Sequence, residues 1–512
     1  MQELKEFAEH TRKVISAREL QAIELNSAAL GMSGSQLMES AGVAVAKFVN
    51  KQFKDADSIL MVCGLGWKGG SGFSAARLLI KHHKITVGIV GSKRNVKFGP
   101  ALDNLHEIEH SPFGDIIENI QREENCLEGK QLIIDAMFGV GFKGKMSADA
   151  ASLIWKINES KKKVVSIDVP SGLVADTGAG DVVVNADYTV TFHKPKTYLA
   201  GLKSAGEVVV EDIGMPIDAE IFAGPGDLML ASRPRKLHSS KHDNGKVMVV
   251  AGSSEYHGAP VLASNAVYST LAALRMGTGY AYLCVPGAIE GEVRALSANI
   301  IVKRFGTETI ADGDFAAMER DIGRMSTIVI GMGIGRKEGA LRMADRIIES
   351  AIAQGKKVVV DADAIYALRR GHKLDPNAIV TPQDIEFEEL SGSGIKDATL
   401  EERFKKAVAE ARKLGCNLIV KGHETVVTDG EVAKIVQAES STLATMGTGD
   451  VLSGIIGGYA GAGATAFEAA VAGAYVNARI GDLLKMEKGN HILASDIVDK
   501  IPRLIKDFDQ DE

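Results

Sequence analysis

The residues best placed to do chemistry are aspartates that stand beside glycines where apolar runs end. The strongest pattern is Ala444-Thr-Met-Gly447-Thr448-Gly449-Asp450-Val-Leu-Ser-Gly454. Gly447 and Gly449 let the backbone turn so that N–H groups at a helix start converge on an anion. Asp450 then falls in the first helical turn, where it can exchange a proton with a substrate hydroxyl as a phosphate oxygen attacks or leaves. An Asp there can also merely complement the helix dipole, worth about 0.3–1 kcal/mol. The run Gly-Thr-Gly-Asp leading into an apolar, glycine-bearing helix favours the site. Three further segments agree with a nucleotide site: 252–260, Gly331-Met-Gly333-Ile-Gly335, and Lys421-Gly422-His423-Glu424-Thr425. The last puts an ammonium and a hydroxyl near phosphate or ribose.

The first half carries a second set. Asp168, in Ser166-Ile-Asp168-Val-Pro-Ser171-Gly172, and Asp135, in Ile134-Asp135-Ala-Met-Phe-Gly139, both end apolar runs. Carboxylates at strand ends face the crevice where open α/β sheets bind ligands. Two of them could do acid–base work or hold a cation, or they could only cap the turns that follow. Gly139-Val140-Gly141-Phe142-Lys143-Gly144-Lys145 supplies a flexible loop beside them. Gly64-Leu-Gly66-Trp67-Lys68-Gly69 matches the spacing of a dinucleotide loop, a weak motif alone. The next strand ends Val90-Gly-Ser-Lys-Arg94, without the carboxylate that would hold a ribose. An ordinary NAD dehydrogenase is thus disfavoured, and a bare structural turn stays open.

Parallel sheets must position these groups. Apolar runs at 58–63, 85–90, 132–135, 164–168 and 188–192 alternate with helical spacing at 71–81 and 148–160. Such alternation predicts buried parallel strands covered by helices. A second series follows at 246–251, 280–285, 327–330, 357–361 and 417–421. Between them, Pro216, Gly224-Pro225-Gly226 and Pro234 break the rhythm and predict a linker. The expected organisation is a domain over 1–220, a linker over 221–235 and a domain over 236–512.

Composition bounds the function. A 512-residue chain that is 45% hydrophobic and 24% charged is an ordinary globular composition. A formal charge of −7 argues against a nucleic-acid surface. Cys63, Cys126, Cys284 and Cys416 lie too far apart for a disulfide framework or a metal knuckle. No apolar run reaches membrane-spanning length and the polar start is no signal peptide, so a cytoplasmic enzyme away from membranes is expected.

Together these motifs, with Ser16-Ala-Arg-Glu-Leu-Gln and Leu37-Met-Glu-Ser-Ala-Gly42, resemble the two-domain NAD(P)H-hydrate repair enzymes over nearly the whole chain. The resemblance implies an N-terminal Rossmann-like, three-layer αβα epimerase domain. It also implies a C-terminal ribokinase-like α/β dehydratase domain. The epimerase would interconvert the R and S hydrates of NADH or NADPH. The dehydratase would remove water from the S form, consuming ADP and releasing AMP and phosphate, with Mg2+ expected. Asp168 and Asp450 would be the catalytic residues. Trp67, Lys68, Gly69, Gly70, Ser71 and the loop Gly139 to Lys145 would contact the first domain's substrate. Asp135 and Ser171 would ligate K+. Ala259, Gly333, Gly335, Gln383 and Asp450 would contact the hydrate in the second domain. Lys421 to Thr425 and Gly447 to Gly449 would bind ADP or AMP. A homo-oligomer is expected.

Two departures bear on that chemistry. The family's loop Gly-Asn-Asn-Gly-Gly-Asp-Gly reads Gly66-Trp67-Lys68-Gly69-Gly70-Ser71-Gly72 here. Lys68 replaces an Asn that helps hold potassium, so its ammonium is expected either between Asp135 and Ser171 or out in solvent. The usual Thr-Pro-His reads Thr381-Pro382-Gln383, which cannot titrate near neutrality. Within enzymes the rival is a ribokinase-like kinase of a small alcohol. Outside them it is a nucleotide-binding module with a non-catalytic first domain.

Overall fold

A computed structural model describes residues 2–96, 99–175, 177–254, 259–368 and 372–509. The chain divides into two compact units, one of residues 12–216 and one of residues 1–11 with 217–512.

In the first unit, seven parallel strands run in the order β3-β2-β1-β4-β5-β6-β7. They are β1 (Ser58–Cys63), β2 (Lys84–Ile89), β3 (Gly114–Glu118), β4 (Leu132–Ala136), β5 (Lys163–Ile167), β6 (Tyr188–Phe192) and β7 (Glu207–Glu211). β1 and β4 are apolar on both faces and buried along nearly their whole length, as a sheet between two helical layers requires. The order reverses between β1 and β4, so a crevice opens beyond their carboxyl ends. The helix Trp67–Leu79 starts there. The helix Ala17–Ala29 is begun by a capping box: Ser16 accepts from the Glu19 N–H at 3.2 Å, and Glu19 accepts from the Ser16 N–H at 2.7 Å.

The second unit holds nine strands in the order β10-β9-β8-β11-β12-β13-β14-β15-β16. They are β8 (Lys246–Val250), β9 (Tyr280–Val285), β10 (Ile301–Arg304), β11 (Thr327–Ile330), β12 (Lys357–Val360), β13 (Ala378–Val380), β14 (Asn417–Val420), β15 (Glu424–Thr428) and β16 (Ala433–Gln437). All pair in parallel except β14–β15 and β15–β16, an antiparallel edge that the sequence pattern does not predict. The helix Thr448–Gly461 packs against the sheet and against the helix Ala259–Arg275. Glycine makes that approach possible. A Cβ at Gly457 would lie 2.4 Å from a Val329 methyl, and one at Gly454 would lie 2.1 Å from the Ser269 carbonyl oxygen.

The stretch expected as a linker, 221–235, is built into the second unit. Gly224 and Pro225 punctuate a helix start, with Pro225 in the first turn of Pro225–Ala231. Phe222 bridges to Ile435, and Arg233 pairs with Glu468. Residues before Thr11 also pack here: the rings of Phe7 and Phe404 are 4.7 Å apart, and the Ala433 N–H donates to the His10 carbonyl at 3.0 Å. A fragment starting at Ile217 keeps the buried Ile221 and Leu228, each 1% exposed, whereas one starting at Lys236 loses both. At about 1.5–3 kcal/mol per buried aliphatic side chain the loss is about 3–6 kcal/mol. Scanning calorimetry should place the shorter fragment's melting temperature about 10 °C or more below the longer one's. Equal melting temperatures would return 221–235 to the status of a tether. Among the described residues, no helix is long and apolar enough to cross a membrane.

Candidate active sites

At the carboxyl ends of β1, β4 and β5 the first unit gathers oxygen atoms around one nitrogen. Lys68, in the first turn of Trp67–Leu79, is 8% exposed and turns its ammonium inward. Its Nζ lies within hydrogen-bond distance of four oxygens that its three N–H groups can serve: Asp135 Oδ2 at 3.2 Å, Ser171 Oγ at 3.0 Å, and the carbonyls of Val169 at 2.5 Å and Phe138 at 3.2 Å. The stem passes over Gly139, where a Cβ would lie 3.2 Å from the Lys68 Cβ. Asp135 is fully buried and also accepts from Ser166 Oγ at 2.9 Å, the Ser171 N–H at 2.8 Å and the Met137 N–H at 3.1 Å. Ser171 Oγ donates to the other carboxylate oxygen. Burial pushes the Lys68 ammonium below its ordinary range, and Asp135 opposes that shift. Of the two placements expected for Lys68, the inward one is found.

Asp168 follows β5 in the left-handed region, with φ +61°. Such a backbone is strained for a residue with a Cβ and clusters at functional sites. The turn aims the carboxylate at Thr191, whose Oγ1 donates at 3.0 Å, and at Lys196, whose Nζ is 3.7 Å away. Lys196 is 1% exposed and anchored by the carbonyls of Phe192 (2.6 Å) and Lys194 (2.9 Å). The charges of Asp168 and Lys196 also act on Glu24, a partly covered residue of the helix Ala17–Ala29. The sequence reading missed it. Its signal was a carboxylate four residues after the buried Leu20 and three before the buried Ser27.

Other expected contacts scatter. Trp67 is half exposed, its ring resting on Gly34. Gly69 and Gly70 are packed inside the helix start, and the buried Ser71 turns its hydroxyl back to the Trp67 carbonyl at 3.4 Å. In the loop, Phe142 stacks on Phe138 with ring centroids 5.3 Å apart, and Val140 joins a small apolar cluster. Gly141, Lys143, Gly144 and Lys145 are exposed.

In the second unit the carboxyl ends of β12, β13 and β14 converge below the helix Thr448–Gly461. Gly447 caps that helix with φ +87°. Gly449 has no positive φ, so the turn does not need a glycine there as the sequence pattern implied; a Cβ would stand 3.8 Å from Lys421 Nζ, in ordinary contact. The Gly449 and Asp450 N–H groups precede the first in-helix bond, from the Val451 N–H to the Gly447 carbonyl at 3.1 Å. They form the anion-facing turn. The Thr448 hydroxyl is committed to the carbonyls of Leu443 (2.7 Å) and Thr445 (2.9 Å).

Below them lies Asp361, read from sequence only as a strand end. It is 2% exposed and accepts from Thr381 Oγ1 at 2.6 Å, Ser453 Oγ at 2.5 Å and Lys421 Nζ at 2.9 Å. One carboxylate thus ties three strand ends to the Asp450 helix. Burial disfavours the Lys421 ammonium, but Asp361 and then Glu386 outweigh it and hold it above its ordinary range. Burial first, then the Asp361 charge, push Asp450 up to about 7.

Gly333 and Gly335 both take positive φ, 65° and 85°, and the Gly335 N–H donates to Asp363 Oδ2 at 3.1 Å. Gln383 is exposed at the start of Asp384–Ser391, its N–H donating to Glu386 Oε2 at 2.8 Å. His423 is exposed, and Glu424 and Thr425 open β15, where the Thr425 hydroxyl closes the turn on the Gly422 carbonyl at 3.0 Å. Ala259 begins the helix Ala259–Arg275, and 255–258 lie outside the described residues.

A buried aspartate–lysine pair under a glycine-capped helix start that carries Asp450 fits a nucleotide-dependent α/β enzyme, joined here to a second α/β unit. Residues 34–198 match the family described as YjeF-related protein N-terminus, and residues 247–503 match NAD(P)H-hydrate dehydratase. The bifunctional NAD(P)H-hydrate repair enzyme of Pyrobaculum aerophilum is 33% identical over 96% of this chain and 98% of its own. That of Archaeoglobus fulgidus is 34% identical over the same shares. The chain belongs to the bifunctional NAD(P)H-hydrate repair enzyme family. Among solved structures, an ADP/ATP-dependent NAD(P)H-hydrate dehydratase from Bacillus subtilis, co-crystallized with ATP/Mg2+, is 23% identical. It covers 55% of this chain and 96% of its own, with a TM-score of 0.45.

Proposed function

We propose that the second unit removes water from the S hydrate of NADH or NADPH at the expense of ADP, with Asp450 as the proton acceptor. The observation that carries this is Asp450 in the anion-facing turn, with Lys421 held against Gly449 by Asp361. The hydrate's hydroxyl stands on a carbon bonded to the ring nitrogen. Its oxygen takes the β-phosphoryl of ADP while the phosphorus–oxygen bond to AMP breaks, and Asp450 receives the hydroxyl proton. Lys421 and the Gly449 and Asp450 N–H groups balance the charge on the moving phosphoryl group. The nitrogen lone pair then expels phosphate, and loss of a proton from the adjacent ring carbon restores the reduced nicotinamide. Ala259, Gly333, Gly335 and Gln383 face the hydrate, and 421–425 with 447–449 hold the nucleotide. Mg2+ would neutralise the phosphates. Glu386, whose charge acts on both Lys421 and Asp450, would be the carboxylate to hold it.

The first unit interconverts the R and S hydrates at Asp168, beside Trp67 and the 139–145 loop. Four oxygens around one buried nitrogen support reading Lys68 as a built-in cation in place of free potassium.

Product analysis with ADP and chemically hydrated NADH tests the dehydratase. Recovery of NADH absorbance with stoichiometric AMP is expected. A lasting phosphorylated product would make the unit a kinase, and ADP binding without turnover would make it a module.

A further inference from the structure

Both reactants of the second unit are polyanions. The hydrate is a dinucleotide with a pyrophosphate, and its NADPH form adds a 2′-phosphate; ADP brings a pyrophosphate of its own. Two such anions share one site only if each meets a cation. Lys421 stands under the Gly447–Asp450 turn, on the ADP side.

We propose that Arg336 is the phosphate-binding residue on the hydrate's side of this site. This rests on the dehydratase reading of the second unit.

The fold puts Arg336 at the crevice. The strand order β10-β9-β8-β11-β12 reverses between β8 and β11, and open α/β sheets bind ligands beyond the carboxyl ends at such a reversal. The two loops that leave there are tied together by the Gly252 N–H, which donates to the Met332 carbonyl at 2.8 Å. Gly331 lets the second loop press onto the end of β12, since a Cβ there would stand 1.7 Å from the Asp361 carbonyl oxygen. Arg336 closes that loop, directly after Gly335.

Its guanidinium is fixed from two sides. Nε donates to Asp363 Oδ1 at 2.8 Å, while the Gly335 N–H holds Oδ2 at 3.1 Å. The guanidinium carbon lies 3.9 Å from the centroid of the Tyr366 ring. The Asp363 side chain is 9% exposed and that of Arg336 54%, so the anchor is inside and the cation reaches solvent. Such a partly exposed ion pair returns little of the entropy that fixing an arginine costs. A phosphate returns it, because a guanidinium held in place presents its planar fork already aimed. The same cluster reaches the chemistry. Asp361, two residues before Asp363, accepts from Lys421 and from Ser453 of the Asp450 helix. Ala362 between the two aspartates takes φ +48°, a left-handed turn that sends one carboxylate to Lys421 and the other to Arg336. Lys421 and Arg336 thus flank one acidic turn, the first serving ADP and the second the hydrate.

Steady-state kinetics of the full chain tests this, with the S hydrates of NADH and NADPH as separate arms. Arg336→Gln should raise KM for the hydrate about 10- to 100-fold, the worth of a charge-assisted contact, and leave KM for ADP within twofold of wild type. A rise in both arms makes the pyrophosphate the ligand, and a rise confined to the NADPH hydrate makes it the 2′-phosphate; each upholds Arg336 as the phosphate-binding residue. Arg336→Lys keeps the charge without the fork and should fall between the wild type and Arg336→Gln. A hydrate KM within twofold of wild type in Arg336→Gln, or a KM for ADP that rises as far as the hydrate's, overturns the role of Arg336 alone. Wild-type protein that yields neither AMP nor NADH overturns the dehydratase reading, and Arg336's role with it.

Discussion

Asp450→Asn is expected to slow dehydration of the S hydrate by about 10²–10⁴-fold, the usual cost of losing one acid–base group. The amide keeps the side chain's shape at the helix start but cannot take the hydroxyl proton. ADP affinity should change little, because Lys421 and the backbone N–H groups remain. In the wild type the rate should rise with pH through about 7, as Asp450 ionises. Stability should move the other way. The folded carboxyl titrates near 7 and the unfolded one near 3.8. Between those values the folded state binds the extra proton, so stability falls as pH rises from about 4 to 7 and levels off above. Asp450→Asn should escape that loss and be more stable than wild type at pH 8, by on the order of a few kcal/mol at most, and match it at pH 4, as urea unfolding at the two pH values would show. Wild-type turnover in this variant would remove Asp450 from the mechanism.

Lys68→Met is expected to destabilise the first unit by about 3–5 kcal/mol, because it strands the buried Asp135 carboxylate without its cation. Asp135→Asn in the same chain should recover part of the loss, since an amide oxygen in place of Oδ2 still accepts from the Ser166 hydroxyl and the Ser171 N–H, and the Ser171 hydroxyl can turn to accept from the amide nitrogen. Lys68→Asn opens the same point to an ion. Its melting temperature should rise by several degrees when potassium replaces a bulky organic cation such as choline, whereas the wild type should respond equally to both salts. A wild-type response specific to potassium would refute the tethered-ammonium reading.

The strands buried on both faces were legible because burial demands continuous apolar runs; β1 and β6 begin and end where the pattern puts them. The edges were not. β3 and β7 are only partly covered and carry Asp115, Glu118, Glu207 and Glu211, so they show no apolar run. β13 is three residues long. In the sites, glycine spacing exposed Asp450 because helix, turn and acid are local in sequence. Asp361 works through partners that only the fold brings near, 20 to 92 residues away along the chain. Lys68 was visible as a misfit in its motif, but its partners Asp135 and Ser171 are 67 and 103 residues distant.

The packing of residues 1–11 with the second unit has a consequence for biosynthesis. The His10 ring meets the carbonyl of Glu431, 421 residues further on. At about 5–20 residues per second, that partner is made roughly 20–80 s after His10 leaves the ribosome. The whole first unit, 12–216, is translated within that interval and can fold before it ends. The apolar Phe7 waits meanwhile without Phe404, a window in which a chaperone or another nascent chain competes for it.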